Sequence, residues 1–111
     1  MGFPTANVKV EGDVLVDDGV YVTSATIKGE HRKGMTHVGR RPTFGLEERT
    51  VETHLFEFDR DVYGATIRIH FHLRIRGTQR FSSAEELEAQ LRRDRDEALD
   101  FFRGPGRNLV V

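Results

Sequence analysis

The sequence predicts a mainly β domain, a small antiparallel barrel or sandwich with one helix packed at its C-terminal end. Three observations carry this. From Thr66 to Arg76 apolar and polar residues alternate strictly. The first eighty residues break into short β-rich runs separated by turn signals, and after Ser82 the apolar period changes from two to three and four. Strands first and one amphipathic helix last is the order expected of a β layer covered by a helix. At 111 residues the chain has room for one modest core, so the whole of it is read as one domain, barrel about 1–80 and helix about 83–103.

The elements follow in order. Gly19 to Ile27 is rich in β-branched and aromatic residues (Val20, Tyr21, Val22, Thr23, Thr26, Ile27) and reads as a strand. Lys28 to Gly34 is a polar connection bounded by glycines, and Met35 to Gly39 is its partner strand, giving a hairpin. Arg40 to Thr50 carries Pro42, Gly45 and several charges and reads as a loop. Thr50 to Phe58 is the next strand, closed by the turn Asp59-Arg60-Asp61. In the Thr66–Arg76 strand, Ile67, Ile69, Phe71, Leu73 and Ile75 form one face and the polar set the other. Ser82 with Glu85 makes a capping box, and Ser83 with Glu86 offers the alternative register. Ala84, Leu87, Leu91, Ala98 and Phe102 make the apolar stripe of the helix, and Glu88 pairs with Arg92 on its exposed side. The predicted end is near Arg103, before Gly104-Pro105-Gly106.

Composition narrows the chemistry. Hydrophobic residues are 37% and charged residues 32%, the balance of a soluble globular domain. The absence of cysteine excludes disulfides, thiolate metal sites and cysteine nucleophiles. A net charge of −1 supplies no broad basic field for nucleic acid, and no apolar run has the length of a membrane span. Neither nucleic acid nor membrane is therefore an expected partner, and a cytoplasmic setting fits.

Four places have residues suited to chemistry. Gly2-Phe3-Pro4-Thr5-Ala6-Asn7 combines a glycine that lets a ligand approach the backbone, a proline that fixes φ, and two oxygen-bearing side chains on one side of an extended segment. Thr5 and Asn7 offer the hard oxygens that Mg²⁺ and phosphate take; an ordinary turn with both side chains bonded to local backbone is the other reading. Glu52 lies among Val51, Leu55, Phe56 and Phe58, as a general base in a dry setting or as a solvent-facing strand residue. His54, His70 and His72 invite a metal reading, but structural or solvated roles are expected of histidines on polar strand faces. Arg68 and Arg74 read as a solvated face, while Arg76 opens the loop to Phe81, a combination that clamps a phosphate or a flat ring. A barrel binding single-stranded nucleic acid through Arg68, Arg74 and Arg76 is a further reading, against which the near-neutral charge argues.

Taken together, these segments resemble the riboflavin kinase family, known as the C-terminal module of bifunctional bacterial FAD synthetases and as a stand-alone eukaryotic enzyme. Residues 2–7 resemble its GFPTAN signature, and residues 37–44 (His37-Val38-Gly39-Arg40-Arg41-Pro42-Thr43-Phe44) its N-I-G-x-R-P-T-F loop. Glu52-Thr53-His54-Leu55 with Phe58-Asp59 and Tyr63-Gly64 resembles its E-x-H-L block. Arg76, Phe81-Ser82, Leu87, Gln90 and Asp94 resemble its C-terminal pattern.

The resemblance implies a six-stranded antiparallel Greek-key β-barrel with a C-terminal helix. It implies transfer of the ATP γ-phosphoryl group to the 5′-hydroxyl of riboflavin, giving FMN and ADP, with Mg²⁺. By position, Thr5 and Asn7 match the metal and phosphate ligands, in a segment with Gly2 and Pro4, and Glu52 matches the base. Arg76 and Phe81 match the loop near flavin and nucleotide. An FMN adenylyltransferase module, fused or separate, is the implied partner. Two departures stand out. His37 replaces the usual asparagine, and the extra strand and G-x-G-R-G segment that precede GFPTAN in the family are absent from this sequence. The alternative reading is accordingly a barrel lacking its first strand that binds flavin or nucleotide with impaired catalysis.

Overall fold

The computed structural model describes residues 5–8, 15–43, 46–57 and 66–108; for 5–8, 41–43, 46–48 and 104–108 it describes the backbone alone. Five strands, β1 (Thr5–Val8), β2 (Gly19–Ile27), β3 (Glu30–Thr43), β4 (Leu46–Leu55) and β5 (Ile67–Arg76), precede one helix, α1 (Ala84–Asn108). The strands form one antiparallel sheet in the order β1-β4-β3-β2-β5. Among the described residues this sheet is open, and five strands stand where the resemblance implied a closed barrel of six.

The β2–β3 hairpin is tighter than its sequence suggests. Lys28 and Gly29 alone form the turn, with φ of 50° and 81°, and Ile27 already pairs with Glu30. Two consecutive positive φ values match the right-handed twist of the flanking strands, which is why two-residue loops of this hand join hairpins. The polar run 30–34 is thus strand, not connection. The expected loop from Arg40 to Thr50 is also strand on both sides, Arg40 pairing with Arg49 and Pro42 with Glu47. Pro42 is tolerated because β2 stops at Gly19, opposite Val38, leaving the far end of β3 a local edge where a missing N–H is harmless. The turn expected at Asp59-Arg60-Asp61 lies outside the described residues.

The two faces of the sheet are buried differently. Tyr21, Thr23, Ala25, Ile27, Thr36, Val38, Val51, Thr53 and Leu55 are buried on one face, where the packing is between the strands' own side chains. Thr23, Thr36 and Thr53 run across it as a hydroxyl ladder, with Oγ1–Oγ1 distances of 2.9 Å from Thr36 to each neighbour. Each buried hydroxyl thereby has the partner that burial demands. The other face carries α1: Val22 and Met35 pack against Ala98, with Ile75, Leu91, Phe101 and Phe102 around them.

Strand β5 breaks its own alternation. Register shifts fall opposite Val20/Tyr21 and Val22/Thr23, so its side chains do not keep one parity along the strand. Ile67 and Ile69 pack on the inter-strand core, while Ile75 joins the helix-side cluster. His72, on the polar parity, stacks on Phe101 (ring centroids 5.7 Å apart) and meets the Ser24 hydroxyl at 2.8 Å. Leu73 is half exposed, and Phe71 meets Tyr21 edge-on at 5.2 Å.

The helix begins in the alternative register. The Ser83 hydroxyl accepts the Glu86 N–H at 3.1 Å, and the Glu86 carboxylate takes the Ser82 N–H and hydroxyl at 3.0 and 2.8 Å. Those hydrogen bonds from Ser82 hold the Glu86 carboxyl below its ordinary value. The backbone stays helical through Gly104-Pro105-Gly106 to Asn108, beyond the predicted end near Arg103. Among the described residues, no helix is long and apolar enough to cross a membrane.

Candidate functional site

The ladder assembles one row across the sheet. Asn7 of β1 is opposite Glu52 of β4, Glu52 opposite His37 of β3, His37 opposite Val20 of β2, and Val20 opposite Arg76 of β5. The next row holds Thr5, His54, Met35 and Val22 in the same way. Opposed positions in an antiparallel ladder belong to the same face. This face is the one that α1 covers, and a cavity of about 280 Å³ opens between the sheet and the N-terminal half of the helix. Glu52, His54, His37 and Arg76 line it from the strands, Phe81 from the β5–α1 loop, and Leu87 and Leu91 from the helix.

Four of the expected site positions, Thr5, Asn7, Glu52 and Arg76, therefore lie in two neighbouring rows, and Phe81 closes the cavity beside Arg76. Gly2 and Pro4 lie outside the described residues. Glu52 and Arg76 stand three strands apart, roughly 14 Å at about 4.8 Å per strand, so they serve opposite ends of the cavity.

At the β4 end, the Glu52 carboxylate is 46% exposed and its Oε1 lies 3.4 Å from Nε2 of His54, whose side chain is 11% exposed. Burial holds the His54 imidazole below its ordinary 6.5, against the raising influence of the Glu52 carboxylate; His37 lowers it further. The Glu52 carboxylate and the His54 ring are thus in polar contact at this end of the cavity. The close seat of His54 depends on Gly34: a Cβ there would come 2.5 Å from the His54 carbonyl oxygen, so only glycine lets β3 approach β4 at this point.

At the β5 end, Arg76 is held by the helix. Its Nε and Nη2 donate to Oδ1 and Oδ2 of Asp94 at 3.0 and 2.8 Å, and its Nη1 donates to the Gly77 carbonyl at 3.1 Å. Asp94 is fully buried and also accepts from Nε2 of Gln90 at 2.9 Å. The guanidinium carbon lies 5.8 Å from the centre of the Phe81 ring. The edge of Arg76 is thus engaged within the protein, and its geometry fixes the loop carrying Phe81 as the wall of the cavity.

In the sequence Gln90 and Asp94 stand only as parts of a family pattern, with no task attached to either. The signal was present: Asp94 interrupts the apolar series Leu87, Leu91, Ala98, and an acid on an apolar stripe calls for a buried cation. Of the three histidines that invite a metal reading, His70 and His72 lie across the sheet from His54 on β5, bonded to Thr26 and Ser24. Among the described residues no group of three His, Cys, Asp or Glu side chains is arranged to hold a metal.

Comparison with known proteins supplies the family. The family model for flavokinase, riboflavin kinase, matches residues 1–102. The bifunctional riboflavin kinase/FMN adenylyltransferase of Bacillus subtilis is 39% identical over 106 residues, 92% of this chain and 34% of that protein. An RNA-binding riboflavin kinase of the same organism is 40% identical over 97 residues, 85% of this chain and 41% of the relative. A crystal structure from Streptococcus pneumoniae, described as a macrolide-efflux protein, superposes with a TM-score of 0.80 at 34% identity, covering 88% of this chain and 33% of that one. The chain thus spans about a third of the length of the bifunctional relative it matches. A family match over nearly all of the sequence, with relatives at 39 and 40% identity, leaves one assignment: the chain belongs to the riboflavin kinase family.

Proposed function

We propose that the chain transfers the γ-phosphoryl group of ATP to the 5′-hydroxyl of riboflavin, giving FMN and ADP, in the cavity between the sheet and α1. The observation that carries this is the position of Glu52. Its half-exposed carboxylate opens into a largely apolar cavity, beside a buried imidazole and across the ladder from Asn7. A carboxylate so placed accepts the proton of the attacking hydroxyl, a contribution of roughly 10²–10⁴-fold. The remainder of a phosphoryl transfer is positioning and charge neutralisation. Phe81, Leu87 and Leu91 supply the apolar walls that a flat flavin ring needs. At about 280 Å³ the cavity is at the low end of small-molecule sites, roughly 300–1,000 Å³. It takes one substrate, and the nucleotide lies beyond it toward β1.

Mg²⁺ fits the donors available there. Thr5 and Asn7 offer a hydroxyl and an amide oxygen in neighbouring rows of the ladder, and the chain has no thiolate to favour a softer metal. Thr5 and Asn7 would hold the ion together with nucleotide phosphates, and it would neutralise charge on the transferring group. Gly2 and Pro4 would let those phosphates approach the backbone. The same reading includes the six-stranded Greek-key barrel, supported by the sheet face that, among the described residues, is buried without a helix on it. It also includes a cytoplasmic setting, and delivery of FMN to an adenylyltransferase, the latter supported by the combined name of the bifunctional relative. The alternative of a binding barrel with impaired catalysis finds no support in relatives that carry the kinase name.

The test is direct. Purified protein with Mg-ATP and riboflavin is expected to form FMN, resolved by chromatography, and Glu52→Gln is expected to lower kcat by roughly 10²–10⁴-fold. Folded protein that makes no FMN, or a Glu52→Gln variant as fast as the parent, overturns the proposal.

A further inference from the structure

We propose that His54 is the positioning residue for Glu52, its Nε2–H holding one carboxylate oxygen so that the other is aimed at the substrate hydroxyl. The inference rests on the reading of Glu52 as the proton acceptor and adds a partner to it. Three observations carry it. The first is contact: Nε2 of His54 lies 3.4 Å from Oε1 of Glu52, on the next position of the same strand face. Catalytic hydrogen bonds in a ligand-free site are commonly this long and tighten when substrate closes it.

The second is a contrast in freedom. Glu52 is 46% exposed, and a half-exposed glutamate populates several rotamers. His54 is only 11% exposed, opposite the fully buried Met35 and against a strand brought close by Gly34. A fixed donor beside a mobile acceptor selects the rotamer in which the two meet. A misplacement of about 1 Å in a reacting group costs on the order of 10²-fold in rate.

The third observation removes the rival donor. His37 is directly opposite Glu52 in the ladder, but its ring lies along β3, where a Cβ on Gly39 would come within 3.0 Å of Cε1 and 3.2 Å of Nε2. The imidazole that reaches Glu52 is therefore that of His54.

Two measurements on the whole chain test this. In steady-state kinetics, His54→Leu is expected to lower kcat by about 10- to 100-fold, with the KM for riboflavin changed less than about 3-fold. His54→Gln, which keeps an N–H near the Nε2 position, is expected to recover most of the loss. A purely structural role predicts that Gln is no better than Leu and that KM moves with kcat. In ¹⁵N-imidazole NMR near pH 8, the parent is expected to show the Nε2–H tautomer for His54, with its Nε2 signal displaced in Glu52→Ala. An Nδ1–H tautomer, or an Nε2 signal indifferent to Glu52→Ala, overturns the contact even if His54→Leu fails to fold. FMN formation that depends on Glu52 but not on His54 overturns the positioning role alone. Absence of FMN formation by the parent overturns the kinase reading, and the NMR result then still decides the contact.

Discussion

Two arginine–aspartate clusters meet the end of β5, one through Arg74 and the other through Arg76, and they are built on opposite principles. Asp94 is fully buried, meets a single guanidinium through both oxygens, and has Gln90 on the remaining side. Asp18 is a quarter exposed and lies among three arginines. Its carboxylate accepts from Arg40 at 3.0 Å and Arg49 at 2.8 Å, and its backbone carbonyl accepts from Arg74 at 2.6 Å. The first cluster ties the end of β5 to the middle of α1 and so fixes one wall of the candidate site. The second ties the segment before β2 to three strands at a polar, open cleft of about 490 Å³. A buried pair derives its importance from what happens when one partner is lost, because the other is stranded without water. A cluster in contact with solvent loses little, since water and salt replace each missing partner.

The sharpest way to break the comparison is to remove each aspartate in turn. Asp94→Ala leaves the Arg76 guanidinium buried and unpaired, and we expect a loss of about 3–5 kcal/mol in urea unfolding. The same variant should loosen the Phe81 loop and raise the KM for riboflavin. A loss under about 1 kcal/mol would show that water reaches Arg76 and that the two clusters do not differ in kind. Arg76→Lys is expected to cost less, roughly 1–3 kcal/mol, because the charge survives while the two-pronged contact with Asp94 does not.

The same contrast explains what was legible from the residues alone. Local signals were read well where one strand or one turn of helix decides them. The bounds of β2, the Glu88–Arg92 pair at 3.1 Å and the Ser83–Glu86 cap are contacts within a few residues. The hairpin is legible in the sequence, but its turn of Lys28 and Gly29 is hidden in a polar run of seven residues. A lysine at positive φ carries none of the Asn-Gly signature, and charged strand residues at a sheet edge look like loop. Pro42 gave the same false signal, since its tolerance depends on where β2 happens to end. In β5 the alternation was real in the sequence, yet two register shifts send Ile75 to the helix side and leave Leu73 half exposed. At the site, family resemblance picked out Glu52 and Arg76, which do line the cavity. The contact of Arg76 with Asp94 spans 18 positions and depends on how the helix lies on the sheet, which no periodicity encodes.

The open cluster supplies the smaller effects. Asp18→Asn should cost about 0.2–1 kcal/mol at low ionic strength. In about 1 M salt, where the screening length falls to about 3 Å, most of that cost should vanish. Asp94→Ala should keep nearly all of its penalty under the same salt, because its pair is closed to ions. Equal salt sensitivity in the two variants would mean that burial is not what separates them.

Acid gives the last and finest discrimination. The hydrogen bond from Arg49 holds the Asp18 carboxyl below its ordinary 3.8; burial opposes this, and Arg40 adds to the lowering. A carboxyl lower in the folded than in the unfolded chain is protonated first in the unfolded state as pH falls. Its contribution is therefore fully present above about pH 4 and lost as pH falls through the folded-state value. The stability difference between the parent and Asp18→Asn, measured by urea unfolding, should be constant from about pH 7 to pH 5 and shrink progressively as the pH falls below the ordinary 3.8. A difference that does not shrink at all as the pH is taken below that value would mean that Asp18 acts through the shape of its hydrogen bonds and not its charge. The cluster around it would then be a packed joint like that of Asp94, only nearer the surface.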